Sequence, residues 1–220
     1  MVITIDGPAG SGKSTAAREL ARALGIAYLD TGATYRAVTL KALRSGTNLE
    51  DEAALAAIAR EMDIRMVPTD RQVGVWLDGQ DVSREIRSEQ VSANAHYAAR
   101  SPAVREVLVE LQRRLGRQLG SFVTEGRDQG TVVFPDADVK FYLDARAETR
   151  AARRCQELRA AGENAEYQRV LDGIVQRDQR DSTRRTAPLK RPDDAVVVDT
   201  SDHTIEQTAA ELLQYVRART

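Results

Sequence analysis

The sequence has almost no cysteine. Cys155 is the single one among 220 residues, so an intramolecular disulfide cannot form, zinc sites built on clustered cysteines are excluded, and a reducing compartment is expected. Charge of either sign is not in excess: 32 basic and 33 acidic side chains leave a net −1. Bulk attraction to nucleic acid or to a membrane surface is therefore not expected, and local charge has to carry any binding. No apolar run approaches membrane-spanning length. With a strand-like run beginning at residue 2, no signal peptide is expected, and the reading is a soluble, cytoplasmic protein. Histidine is scarce as well, and none is placed to pair with His96. The chain carries no internal repeat and no low-complexity linker, and its length suits one domain with room for small insertions.

What is present begins at residue 7. GPAGSGKST, residues 7–15, has the spacing G-x-x-x-x-G-K-S of a phosphate-binding loop, in which glycines let the backbone turn tightly and aim N–H groups at phosphate oxygens. Lys13 is the fixed positive charge for the β and γ phosphates, and Ser14 is the hydroxyl that would hold Mg²⁺. The flanks are those the motif requires: a β-branched run at 2–5 before it and a helix-like run at 16–24 after it, closed by Gly25. Gly7, Pro8, Ala9, Gly10, Ser11, Gly12, Lys13, Ser14 and Thr15 are the expected nucleotide-binding residues.

Further along, 26–29 reads as a second strand running into a polar turn, DTGATYR at 30–36, where Thr31, Tyr35 and Arg36 could meet a phosphate or a hydroxyl. Helical spacing follows at 35–44 and 50–62. Between 63 and 87 the pattern changes to short alternating runs joined by TDRQ, which predicts a small antiparallel β insert with Trp76 as its packing. A helix is expected over 85–100 carrying His96. Ser101 and Pro102 open a long helix to about 119, with Arg105 off its apolar stripe. A strand at 122–124 presents Arg127 and Asp128 just past its end, where open α/β sheets bind ligands. Residues 138–144 and 195–200 read as further strands, separated by helices over 147–161 and 166–180 and by an arginine-rich stretch, and a last helix is capped by Asp202 or Thr204. Strands alternating with helices predict an α/β fold of the P-loop NTPase type, three-layered around a five-stranded parallel sheet. Arginines from three separate segments exceed what one triphosphate needs, and they point to a second anionic substrate.

Taken in order, GPAGSGKST, DTGATYR, TEGRDQGTVVFPDA, VKFYLDA and RDQRDSTRRTAPL resemble the bacterial cytidylate kinases across nearly the whole chain. The resemblance implies one kinase domain over 1–220, with an acceptor-binding region at 31–100 containing the β insert, and a helical lid at 147–190 to which Arg150, Arg153 and Arg154 belong. It implies phosphoryl transfer from ATP, with Mg²⁺, to CMP or dCMP by a protein working as a monomer. It assigns catalysis to Lys13, Arg127, Arg153 and Arg184, and the metal to Ser14. CMP would be held by Thr31, Arg36, His96, Arg105, Arg127, Asp128, Arg177, Asp181 and Arg184, with Arg105 and Asp128 on the cytosine. His96 and Gln129 depart from the family pattern, which places a serine and an apolar residue there. Two rivals stay open at this point: a small-molecule kinase with another acceptor, and a nucleotide-hydrolysing switch or motor.

Overall fold

The computed structural model describes residues 1–68, 73–160 and 162–219; the TDRQ turn and the final residue of the helix expected over 147–161 lie outside them. In chain order the elements are β1 (Val2–Asp6), α1 (Lys13–Leu24), β2 (Ala27–Asp30), α2 (Thr31–Arg44), α3 (Glu52–Glu61), β3 (Ile64–Pro68), β4 (Val73–Leu77), β5 (Gln80–Asp81), α4 (Glu89–Arg100), α5 (Pro102–Leu119), β6 (Phe122–Gly126), β7 (Val139–Asp144), α6 (Ala147–Ala160), α7 (Tyr167–Thr183), β8 (Val196–Asp199) and α8 (Ile205–Arg217). The main sheet has five strands in the order β2-β6-β1-β7-β8, with β1–β7 and β7–β8 parallel. This is the expected α/β architecture, in which the chain order and the strand order differ because each parallel step needs a helical crossover.

By density of contact the chain forms two compact units, Met1–Ile26 with Val123–Thr220, and Ala27–Phe122. In the first, Ile3 and Ile5 of β1 and Phe141 and Leu143 of β7 are fully buried. Even the intervening polar residues of β1, Thr4 and Asp6, are sealed from water, as expected of a strand covered on both faces. Tyr215 of α8 meets Phe141 edge to face with ring centroids 5.4 Å apart, and α1 packs against α8. α6 packs along α7.

The second unit has its own core, built from Ala37, Val38 and Leu40 of α2, Leu55 and Ala59 of α3, Val91 and Ala98 of α4, and Val104, Leu108 and Leu111 of α5. β3, β4 and β5 form a three-stranded antiparallel sheet that delivers Ile64, Val75 and Leu77 into that core. Alternation along β4 then turns Trp76 to the opposite face, where it is 41% exposed, so it does not pack the insert as the sequence suggested.

Helix starts follow local chemistry. Ser101 caps α5 through its hydroxyl with Pro102 in the first turn, and Thr204 closes a reciprocal capping box with Gln207 on α8. Some boundaries move, two of them for a visible reason. The segment 30–36 is the beginning of α2 and not a turn, because the Asp30 carboxylate accepts the Ala33 N–H and starts the helix at Thr31. The helix expected over 85–100 is interrupted, since Ser88 caps α4 and leaves Glu85–Arg87 as a separate 3₁₀ turn.

Candidate active site

The loop between β1 and α1 is shaped by its glycines. Gly7 has φ 147°, and a Cβ there would stand 2.0 Å from the Leu143 carbonyl oxygen, so only glycine lets the chain leave β1 against the end of β7. Thr200 Oγ1 donates to the Ser11 carbonyl at 3.1 Å and pins the loop from the β8 side. Lys13, 5% exposed, folds back and donates to the Pro8 carbonyl at 2.5 Å and the Ser11 hydroxyl at 3.4 Å. Burial first, then the neighbouring Arg127, brings its pKa down to about 7, with Glu125 and Asp6 pulling upward and Arg177 downward. The ammonium is held by loop oxygens in a site whose dryness disfavours its charge.

Ser14 Oγ donates to Glu125 Oε1 at 2.8 Å. Glu125 was missed in the sequence; the available signal is a carboxylate one residue before the end of the buried strand β6, at the end of the sheet where ligands bind. Asp6, also missed, is fully buried at the end of β1 and accepts the Gln129 N–H at 2.9 Å and the Gly130 N–H at 2.7 Å. A charged residue inside an apolar strand directly before the glycine loop was its sequence signal.

Past β6, Arg127 and Asp128 stand at the head of a short π-helical turn, Gln129–Val133. Arg127 Nε donates to Asp181 Oδ2 at 2.8 Å, and Asp128 lies 3.8 Å from the Arg184 guanidinium. Burial alone would raise the Asp181 pKa, but Arg127, Arg177 and Arg184 outweigh it and hold the carboxyl below its usual range. Asp178, one turn before Asp181 on α7, takes a 2.6 Å hydrogen bond from Arg150. The stretch 177–184 is thus an alternating array of arginine and carboxylate, with Arg177 on the exposed side of α7. Gln129 is buried and accepts from Thr124 Oγ1 at 3.2 Å, so its polarity, unusual for the family pattern, has a partner in the interior.

The three arginines expected in a lid are placed differently from one another. Arg150 is buried, and it donates to the carbonyls of Ala145 and Ala9 as well as to Asp178, so it braces the phosphate loop from behind. Arg153 donates to backbone carbonyls of Thr200 and His203, and Arg154 pairs with Glu157 at the surface.

In the second unit, the Asp30 carboxylate receives both Arg36 and Arg87, each at 3.0 Å. Burial opposes the charge, yet Arg36 and Arg87 hold Asp30 below the usual carboxylate range. Two guanidiniums on one capping carboxylate leave a net positive group at the start of α2, beside the buried Thr31. Arg87 is the member that the sequence reading passed over, since its exposed 3₁₀ turn carries no motif. Arg105 is buried and not a surface group of α5, its guanidinium carbon 5.6 Å above the Tyr35 ring. His96 uses Nδ1 to donate to the Ala93 carbonyl at 2.8 Å and packs beside Tyr97, ring centroids 4.1 Å apart.

No helix among the described residues is long and apolar enough to cross a membrane. Comparison with known proteins supplies the family. Residues 3–218 match the family model described as cytidylate kinase. The chain is 44% identical to the cytidylate kinase of Actinobacillus succinogenes, with all of both chains covered. It is 46% identical to that of Caldanaerobacter subterraneus, covering 99% of this chain and 95% of the relative. Among solved structures it resembles TT1252 from Thermus thermophilus (TM-score 0.50, 20% identity, 100% and 97% of the two chains covered). An uncharacterised protein from Eubacterium ventriosum also resembles it (TM-score 0.53, 14% identity, 100% and 99% covered), and both likenesses speak to fold alone. With the glycine loop, the Arg127–Asp128 turn and the arginine-carboxylate array all inside a match that spans the chain, this protein belongs to the cytidylate kinase family.

Proposed function

We propose that the chain transfers the γ-phosphoryl group of ATP to CMP or dCMP, giving ADP with CDP or dCDP. A phosphate oxygen of the acceptor attacks the γ-phosphorus while the bond to the bridging oxygen breaks and ADP leaves with the electron pair. The acceptor oxygen is already anionic, so alignment and charge neutralisation suffice and no proton abstractor is assigned. The observation that carries the reading is the proximity, in one compact unit, of a buried loop lysine and the Arg127–Asp181 and Asp128–Arg184 pairs, an arrangement suited to two phosphate-bearing substrates.

On the donor side, the N–H groups of residues 7–15 cradle the phosphates and Lys13 exchanges its loop carbonyl for phosphate oxygens. The oxygen donors suit Mg²⁺: Ser14 Oγ and Glu125 Oε1, 2.8 Å apart, are hard ligands of the kind this ion takes, and these two residues would hold it. When bound it neutralises charge on the phosphate oxygens. Arg184 and Arg153 are assigned to the transferring phosphoryl, and Arg153 has to release Thr200 and His203 to reach it.

On the acceptor side, Thr31, Arg36 and Arg127 take the CMP phosphate, and Arg177, Asp181 and Arg184 its sugar and phosphate. Asp128 accepts from the cytosine amino group, helped by Arg105, with His96 at the base. Uracil carries a carbonyl where cytosine has the amino group, so two acceptors would face each other and the hydrogen bond to the carboxylate would be lost. That loss is worth about 1.5–3 kcal/mol, a tenfold preference or more. ADP release measured with CMP, dCMP, UMP, AMP and GMP tests the assignment: CMP and dCMP are expected to lead, and a preference for AMP, or hydrolysis without a phosphorylated acceptor, overturns it.

A further inference from the structure

Asp6 has no role in the assignments above, yet it is 0% exposed and its two carboxylate oxygens are each engaged by a different backbone N–H, Gln129 at 2.9 Å and Gly130 at 2.7 Å. Those two N–H groups are the first of the π-helical turn, which has no preceding turn of its own to satisfy them. The turn is further seated on β1 by Gly130, where a Cβ would come 2.9 Å from Thr4 Oγ1. Its own ladder closes on Asp128, whose carbonyl accepts from Val132 and Val133. Asp128 and Arg127 immediately precede the residues that Asp6 holds, and Gly7, the first residue of the phosphate loop, immediately follows Asp6. One side chain therefore ties the backbone that presents the acceptor-reading pair to the backbone that starts the donor loop.

We propose that Asp6 is a positioning residue that sets acceptor selectivity, by clamping the turn that presents Arg127 and Asp128 in fixed register with the phosphate loop. The proposal rests on the reading of Asp128 as the group that faces the cytosine. Its consequence is that nucleotide discrimination depends on a carboxylate that touches neither substrate. Replacing Asp6 by asparagine leaves one acceptor oxygen where two N–H donors need two and puts a donor against a donor, while protonating it weakens one of the two oxygens as an acceptor and adds an O–H donor beside the N–H groups. The charged and titratable groups facing Asp6 are Lys13 of α1, Arg127 and Asp128 of the turn, and Tyr142, its register partner on β7. Burial first, and then Asp128, push its pKa up to about 6, against the two N–H groups and Lys13, so the clamp titrates within reach of an assay.

The test is the ratio of kcat/KM for CMP to that for UMP. Both acceptors share the same phosphate and the same donor, so changes at Lys13 or in phosphate ionisation cancel in the ratio. In Asp6→Asn the ratio is expected to fall about tenfold, the range for a lost hydrogen bond to a charged group. Asp6→Glu keeps the charge beside Lys13 but displaces both oxygens, so it should lose the ratio as well. In the unaltered protein the ratio should fall as pH drops from 8 to 5.5, and that pH dependence should vanish in Asp6→Asn. An unchanged ratio in a folded Asp6→Asn, or full retention in Asp6→Glu, overturns the proposal. If Asp6→Asn does not fold, the unaltered protein decides, and a ratio flat over that pH range overturns it. Asp128→Ala separates this from the underlying reading: if it lowers CMP and UMP turnover equally, the assignment of Asp128 is wrong; if it collapses the ratio while Asp6→Asn leaves it intact, only the Asp6 proposal fails.

Discussion

ATP binding should take up a proton, and the proton should go to Lys13. The side chain is nearly sealed from water and its pKa lies near 7 in the free protein, chiefly because burial penalises the ammonium and Arg127 adds like charge. A bound triphosphate supplies the opposite charge at close range and restores the protonated form. With a pKa of about 7, the charged fraction falls from about one quarter at pH 7.5 to about 3% at pH 8.5, and affinity should weaken about eightfold, or about 1.2 kcal/mol, across that unit. The window lies above the second phosphate ionisation near pH ~6, so the nucleotide's own titration contributes little. Calorimetric titration with ATP in buffers of different ionisation enthalpy reads the uptake, which should approach one proton at pH 8.5 and be absent in Lys13→Met. The same shift has a sign for folding: the folded pKa lies below that of an unfolded lysine, so the unfolded chain binds more protons above pH 7 and the free protein gains stability as pH rises through that window. Zero net proton uptake at pH 8.5, with affinity flat between pH 7.5 and 8.5, would refute the reasoning.

Three other substitutions follow from the geometry. Glu125→Gln removes a charged ligand while keeping a partner for Ser14, so the Mg²⁺ concentration for half-maximal turnover should rise about tenfold with folding unaffected, as read by metal titration and thermal unfolding. Arg150→Met leaves Asp178 unpaired and the Ala9 carbonyl unheld; a loss of about 3–5 kcal/mol of stability is expected in denaturant unfolding, with weaker ATP binding in whatever remains folded. Gly7→Ala puts a methyl group 2.0 Å from the Leu143 oxygen in a conformation alanine rarely adopts, so the loop has to move and ATP binding measured by calorimetry should be lost even where far-UV circular dichroism is unchanged.

Much of this molecule was legible without coordinates, because the signals are local. Glycine spacing, a strand before and a helix after identify the phosphate loop, since backbone freedom and periodicity are properties of neighbouring residues. Ser101–Pro102, Gly25 and Thr204 announce helix ends for the same reason. The ordered motifs named the family, and the whole-chain match agreed. Locality also explains the errors. Residues 30–36 are polar enough to read as a turn, but Asp30 caps a helix and is itself held by Arg87, 57 positions away. Trp76 suggested packing by its size, but β4 already gives its inward face to Val75 and Leu77.

Sequence by itself determined that residues 7–15 form a glycine loop between a strand and a helix, that the chain folds as α/β, and which family it belongs to. Tertiary structure alone decided which charges meet: Asp6 with the 129–130 backbone, Glu125 with Ser14, Arg150 with Ala9 and Asp178, and Asp30 with two arginines. The reason is physical. A charge in the interior persists only with its partner, and partners contributed by separate strands and helices have no fixed spacing along the chain.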